Sequence, residues 1–419
     1  MNPSFVSRSV TDSFFGACLA LLATSCLTPP ASTAGVGSGQ GAATNGSDPG
    51  PRQFTHTSPE LMADVHLGWN LGNSLDVPTG ETSWGNPQVT PGLLRAVAKA
   101  GFDLVRIPVT WSPHMGPGPE YVIEPSWLER VAQVVGYARS AGLYAIIDVH
   151  HDGADGFEGV EWITLNDADG NTTEENNAAV RQRFVKVWAQ IATCFADYGE
   201  ELLFESMNEI HDGYGTPDPR HFTFINELNQ EFVSLVRGTG GNNAKRHLLV
   251  PGYNTNIDHT LKGFELPEDS TPSHLILSVH FYDPYLYALQ AKTHTWGKDA
   301  PGRDDWGQED FVVAQFDKLK STYVERGIPV IMGEYGATQQ DDYEDYRRYY
   351  MEYVTKAAVD RGIVPVYWDN GGRGSGGEKF ALIDRRANDV LYPELMEAML
   401  RAATKSYTLD GIAPPKPSE

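Results

Sequence analysis

Eight short apolar runs recur along the chain, at 66–72, 104–109, 144–150, 202–207, 247–252, 275–281, 330–335 and 364–368. Each has the length and apolar character of a buried strand. Between them lie segments of helical period. In 91–101, Thr90 stands as an N-cap, Pro91 opens the first turn and Gly101 ends the helix. Similar segments run near 127–140, 177–197, 222–236, 311–325, 345–360 and 393–404. Buried-type strands alternating with helices predict an α/β fold, a (β/α)8 TIM barrel forming one domain over 53–407. A dinucleotide-binding sheet is disfavoured, because no G-x-G-x-x-G follows the first run.

The polar residues within this pattern fall almost entirely at the C-terminal ends of the strands. Asn70 and Asn73 follow the first, Arg106 lies in the second, His150 and His151 end the third, and Asn208 and Glu209 end the fourth. Tyr253 and Asn254, then His280 and Tyr282, then Glu334 and Tyr335, then Trp368, Asp369 and Asn370 continue the series. One such residue is ordinarily a loop anchor. Eight strands repeating the placement point to one polar rim, where barrel enzymes keep their active sites.

Composition narrows the partners. A formal charge of −23 argues against nucleic acid or an anionic membrane and is indifferent to a neutral polysaccharide. The 9 Trp and 19 Tyr supply flat faces suited to stacking on sugar rings. Residues 1–26 read as a signal peptide: Arg8 precedes an apolar stretch from Phe14 to Ala23 that is too short to span a bilayer. Leu22-Ala23-Thr24-Ser25-Cys26 resembles a bacterial lipoprotein signal with Cys26 as the acylated residue, and ordinary cleavage nearby is the alternative. A Gly/Ala/Ser/Thr/Pro tether follows over 27–52, and 408–419 forms a C-terminal tail with no room for a further binding domain. Cys194 is the one cysteine beyond the leader, so no disulfide framework is expected and the fold should stand on its core. These features together describe a secreted or cell-surface protein without a transmembrane helix, expected to act as a monomer.

The candidate chemistry rests on two acidic motifs, Phe204-Glu205-Ser206-Met207-Asn208-Glu209 and Ile331-Met332-Gly333-Glu334-Tyr335-Gly336. Two carboxylates presented by separate strands of one scaffold are what acid-assisted cleavage of a glycosidic bond requires. By the period of two, Glu205 points into the barrel with Glu209, where a buried carboxylate must be paired and serves structure. Neither H-E-x-x-H nor a cysteine cluster accompanies the histidines, so no metal and no cofactor is expected. Asp167-Ala168-Asp169-Gly170-Asn171 lacks a calcium-loop pattern and reads as an Asp-Gly turn.

At these residues the chain resembles family 5 glycoside hydrolases from about His66 to Leu400. Gly68-Trp69-Asn70-Leu71-Gly72-Asn73, Glu81-Thr82-Ser83-Trp84-Gly85-Asn86-Pro87, His150-His151-Asp152-Gly153 and His280-Phe281-Tyr282-Asp283-Pro284 are similar to its subfamily 4 in particular. One departure is Ile210, where the family most often has proline. The resemblance implies that Glu334 is the nucleophile and Glu209 the acid and then base of a retaining endo-β-1,4-glucanase. It further implies that Asn208 bonds the sugar 2-hydroxyl, that His150 and His280 line the subsite under attack, and that Trp368 is its stacking platform. Arg106 and Tyr282 are the candidates to hold Glu334 ionised, while Glu209 should sit in a less hydrated setting close to it. Asn73, Trp84 and His151 are further candidates for substrate contact. Trp162 and Trp296, like Trp84, are divided between outer subsites and packing. Long connections at 152–176 and 283–309 are expected to shape an open cleft for β-glucan: cellulose, mixed-linkage glucan or xyloglucan. A β-mannanase or xylanase, or a silent carbohydrate-binding barrel, are the alternatives.

Overall fold

A computed structural model of the chain describes residues 50–153, 157 and 159–415; the leader and most of the tether lie outside the described residues. Eight strands close into a parallel barrel in sequence order: β1 Gly68–Leu71, β2 Leu104–Ile107, β3 Tyr144–Ile147, β4 Leu202–Glu205, β5 Leu248–Pro251, β6 Leu275–Phe281, β7 Val330–Tyr335 and β8 Ile363–Asp369. Gly68 pairs with Leu104 on one side and Val366 on the other, which closes the ring. The observed strands fall within or close to the runs read from the sequence; most stop one to three residues sooner, where the chain turns into the mouth.

The helices α2 Pro91–Ala100, α3 Pro125–Ser140, α4 Glu174–Cys194, α5 Pro219–Gly238, α8 Glu309–Thr322, α9 Glu344–Val359 and α10 Pro393–Thr404 wrap the barrel as expected. The Thr90 hydroxyl accepts from Leu93 N at 3.3 Å, and Gly101 ends the helix at φ 104°, a left-handed conformation that glycine adopts without strain. Three helices have no counterpart in the sequence reading: α1 Ser58–Asp64, α6 Ile257–Gly263 and the single turn α7 Tyr285–Ala288. Each is too short to show a period. The Asn256 side chain caps α6 by accepting from His259 N at 3.1 Å, and this helix fills the connection after β5.

Strand alternation sorts the side chains into two cores. Val105, Ile107, Ala145, Ile147 and Phe204 face outward and pack under the helices. Leu104, Ile146, Leu203, Leu249, Ile276, Ile331, Val364 and Val366 fill the barrel, and Leu61, Met62 and Val65 close its lower end. The α1 helix is therefore a plug. Leu61→Ala is expected to cost about 2–5 kcal/mol of stability, read as an earlier denaturant midpoint with KM unchanged; an unmoved midpoint would count against the plug.

Two steps further along the same strands, the inward positions turn polar. Asn70, Arg106, Asp148, Glu205, Ser278 and His280 are all buried there, above the apolar floor. The 167–171 segment is a turn closed on itself, with Asp167 Oδ1 accepting from Asp169 N at 3.0 Å and Asn171 N at 2.9 Å. After α10 the chain folds back onto the barrel, where Ile412 is buried and Tyr407 OH donates to Glu352 Oε1 at 2.9 Å. Among the described residues no helix is long and apolar enough to cross a membrane.

Candidate active site

Arg106 is the hub of the polar layer. It is fully buried, and all five N–H groups of its guanidinium are used. Nε donates to Glu205 Oε2 at 2.6 Å, Nη1 to Glu334 Oε1 at 2.8 Å and Asn70 Oδ1 at 3.2 Å, and Nη2 to Asp148 Oδ2 and Asn208 Oδ1, both at 2.8 Å. One cation thus serves three carboxylates. Burial alone would lower the guanidinium pKa, but the charges of Glu205, Asp148 and Glu334 outweigh it and keep Arg106 protonated. Glu205 receives a second bond from Ser278 Oγ at 2.6 Å, which makes it the paired structural carboxylate that its position requires.

Glu334 sits at an irregularity of the barrel. The register of β7 shifts against β6 between Val279 and His280, and against β8 between Met332 and Tyr335. Such a bulge re-aims a side chain near a sheet rim. Gly333 is the residue that permits it: a Cβ there would meet Ser278 Oγ at 3.0 Å and His280 Nε2 at 3.2 Å. The Glu334 carboxylate accepts from Arg106 and from Tyr282 OH at 3.0 Å, so both expected partners are in place. Burial nevertheless pushes its carboxyl up to about 7, against the pull of His280 and Arg106. The negative charge of Glu209 adds to the effect of burial.

Glu209 lies four residues beyond the end of β4 and is held from the neighbouring elements. His280 Nδ1 lies 2.5 Å from Glu209 Oε1, and Thr255 Oγ1 donates to the same oxygen at 3.3 Å. Its side chain is 29% exposed, against 8% for Glu334. Glu209 is therefore the wetter of the two, opposite to the expectation, because it stands in the mouth while Glu334 is rooted in a strand. One oxygen of each carboxylate and a nitrogen of His280 lie within 4.8 Å of one another. Burial lowers the pKa of His280, and burial with the charges of Glu334 and Glu209 raises Tyr282 well above its usual value.

The remaining residues close around this pair. Asn208 spends its amide oxygen on Arg106, which leaves Nδ2 as its donor end. Trp368 is stacked over His150 with ring centroids 6.0 Å apart and planes 10° apart, and Gly72 makes room for it, since a Cβ there would come within 2.7 Å of the indole. His151 packs edge-on to His150 and lies against Phe157, and Trp84, 40% exposed, extends the cluster outward. Asn73 is a loop residue at φ 53° whose backbone N donates to Asp76 Oδ2 at 2.9 Å. Trp162 and Trp296 are buried, donating to Asp152 and to the Gly307 carbonyl, and belong to packing. Asp76, His150 and His151 bring donor atoms within 4.8 Å of each other, but Asp76 already accepts from Asn73 N and Ser74 N, as a loop anchor does.

Asp148, Asp76 and Thr255 were not anticipated. Asp148 offered a signal: an acid at the end of an otherwise apolar run, two residues before a histidine, must be paired if it points inward.

Two opposed carboxylates, an arginine-centred polar layer and an aromatic floor at the C-terminal mouth of a closed barrel define a glycoside hydrolase. The chain belongs to glycosyl hydrolase family 5: the family model described as Cellulase (glycosyl hydrolase family 5) matches residues 70–374. Endoglucanase A of Paenibacillus barcinonensis is 40% identical over 369 residues, 82% of this chain and 90% of that one. A xyloglucan-specific endo-β-1,4-glucanase of Bacteroides ovatus is 34% identical over 75% of this chain and 65% of its own length. Among solved structures, a GH5-4 broad specificity endoglucanase from Bacteroides salanitronis superposes with a TM-score of 0.80 at 46% identity, covering 85% of this chain and 98% of that one. A family 5 xyloglucanase from Paenibacillus pabuli gives 0.77 at 40% identity, covering 82% and 100%. The protein is an enzyme of the endo-β-1,4-glucanase type.

Proposed function

We propose that the protein is a secreted, retaining endo-β-1,4-glucanase that cleaves internal linkages of cellulose, mixed-linkage glucan or xyloglucan by double displacement. The observation that carries the mechanism is the approach of Glu209 and Glu334 oxygens to within 4.8 Å. Retaining pairs stand about 5–5.5 Å apart, whereas inverting pairs leave about 6.5–9.5 Å for a water. In the first step a Glu334 oxygen attacks the anomeric carbon while Glu209 gives its proton to the departing glycosidic oxygen. In the second, Glu209 takes a proton from water, whose oxygen attacks the same carbon and releases Glu334. Tyr282 and Arg106 hold the attacking carboxylate, and the donor end of Asn208 suits the 2-hydroxyl of the sugar. Trp368 offers the face beneath it.

The substrate class is supported by relatives whose names specify endoglucanase and xyloglucanase activity. Export is supported by the leader in the sequence. Product release from a panel of polysaccharides tests the substrate. Barley glucan, carboxymethylcellulose or xyloglucan should be hydrolysed well above mannan and xylan, and preferential release from mannan would overturn the assignment.

The acid pair also sets a pH dependence. Glu334 must be anionic to attack, and its carboxyl is pushed up to about 7. Protonation on acidification removes the nucleophile. Hence kcat/KM on a soluble oligosaccharide should fall below about pH 7, approaching a ~tenfold loss per pH unit. An acid limb centred near the ordinary glutamate value would show that burial does not govern this site.

A further inference from the structure

Asp148 is a fully buried carboxylate to which the reaction above assigns no task. It continues the inward face of β3, one residue past the strand, and touches both sides of the site. Oδ2 accepts from Arg106 Nη2 at 2.8 Å and lies 2.8 Å from His150 Nδ1, while Oδ1 accepts from Val109 N at 2.9 Å. We propose that Asp148 is a positioning residue of the glycosidase reaction, fixing the ring of His150 and, by its negative charge on the same guanidinium, offsetting the pull of Arg106 on Glu334.

The geometry gives each half of this a cause. A carboxylate facing Nδ1 favours a proton on that nitrogen and turns Nε2 away from Asp148, with the ring parallel to Trp368. On the other side, Asp148 and Glu334 are served by adjacent arms of one guanidinium, Nη2 and Nη1. The negative charge of Asp148, held on the same guanidinium, opposes ionisation of Glu334 as any nearby like charge does. The charged and titratable groups around Asp148 are Arg106 on β2, Asp76 in the loop after β1, and His150 and His151 after β3, with Glu205 and Glu334 across the guanidinium. Burial pushes Asp148 itself up to about 6, with Arg106 as the chief opposing influence.

The proposal rests on Glu334 being the nucleophile, and the test separates the two ideas. Asp148→Asn and Asp148→Ser remove the charge; Asp148→Glu keeps it. The acid limb of kcat/KM on a soluble oligosaccharide, measured with a thermal unfolding curve for each variant, is the readout. The neutral variants should move the limb about one pH unit lower. At one pH unit below the wild-type limb they would then retain ~fivefold more of their plateau rate than wild type does. Asp148→Glu should leave the limb in place. A purely structural role would instead make the bulkier Asp148→Glu the more disruptive change, with no shift in either neutral variant. An unmoved limb in folded neutral variants, an equal shift in Asp148→Glu, or failure of all three to fold overturns the proposal. If Glu334→Ala retains hydrolysis, the nucleophile assignment fails instead, whatever Asp148 does.

Discussion

Glu334→Ala is expected to abolish glucan hydrolysis, with a loss in kcat on the order of 10⁵-fold, while the protein stays folded and still binds oligosaccharide. The side chain is buried, yet its removal relieves the site of a carboxylate that competes for Arg106, so stability should hold or rise. Azide should restore turnover of a substrate with a reactive aryl leaving group. Azide then occupies the space vacated by the carboxylate, and the product should be an α-glycosyl azide. Residual hydrolysis within about tenfold of wild type would exclude Glu334 as the nucleophile.

Glu209→Ala is expected to fail differently, because the proposed mechanism has this residue act on the leaving group and on water. On glucans, whose leaving alkoxide needs a proton, the rate should fall about 10²–10⁴-fold. On a 2,4-dinitrophenyl cellobioside, whose leaving group needs none, the first step should be nearly unaffected and the glycosyl-enzyme should accumulate as a burst. Azide should now attack that intermediate and give the β-glycosyl azide. The opposite anomers from the two variants separate the two roles. Equal losses on both substrates would contradict the acid/base assignment. The exposure of Glu209 in the free protein fits this role, since a sugar bound in the mouth would cover it and supply the dry setting that an acid needs.

Much of this was legible in the chain because the barrel repeats one local rule eight times. Buried strands need apolar residues throughout, so an arginine at 106, an acid at 205 or a histidine at 280 stands out and must face a partner. The pairing of Glu205 followed from alternation alone, and the capping of α2 from Thr90, Pro91 and Gly101. What stayed hidden depends on distance between remote parts of the chain. The plug α1 has seven residues and shows its apolar side only against the barrel floor. Asp148 shows in the chain only as an acid in need of a partner, and that the partners are Arg106 and His150 is seen only in the fold. Trp84, Trp162 and Trp296 are identical as letters, and only the loops that cover the last two tell packing from rim. The high pKa of Glu334 was also invisible, because the burial that raises it depends on how remote strands and loops close over the carboxylate.

Retention of configuration is the claim on which the acid pair, its spacing and both variant outcomes converge. Proton NMR of the anomeric signals during the first minutes of hydrolysis of a cello-oligosaccharide measures it before mutarotation blurs the products. Double displacement by Glu334 and Glu209 predicts that the β-anomer of the new reducing end appears first. Initial release of the α-anomer would contradict it and would require single displacement by a water in place of Glu334.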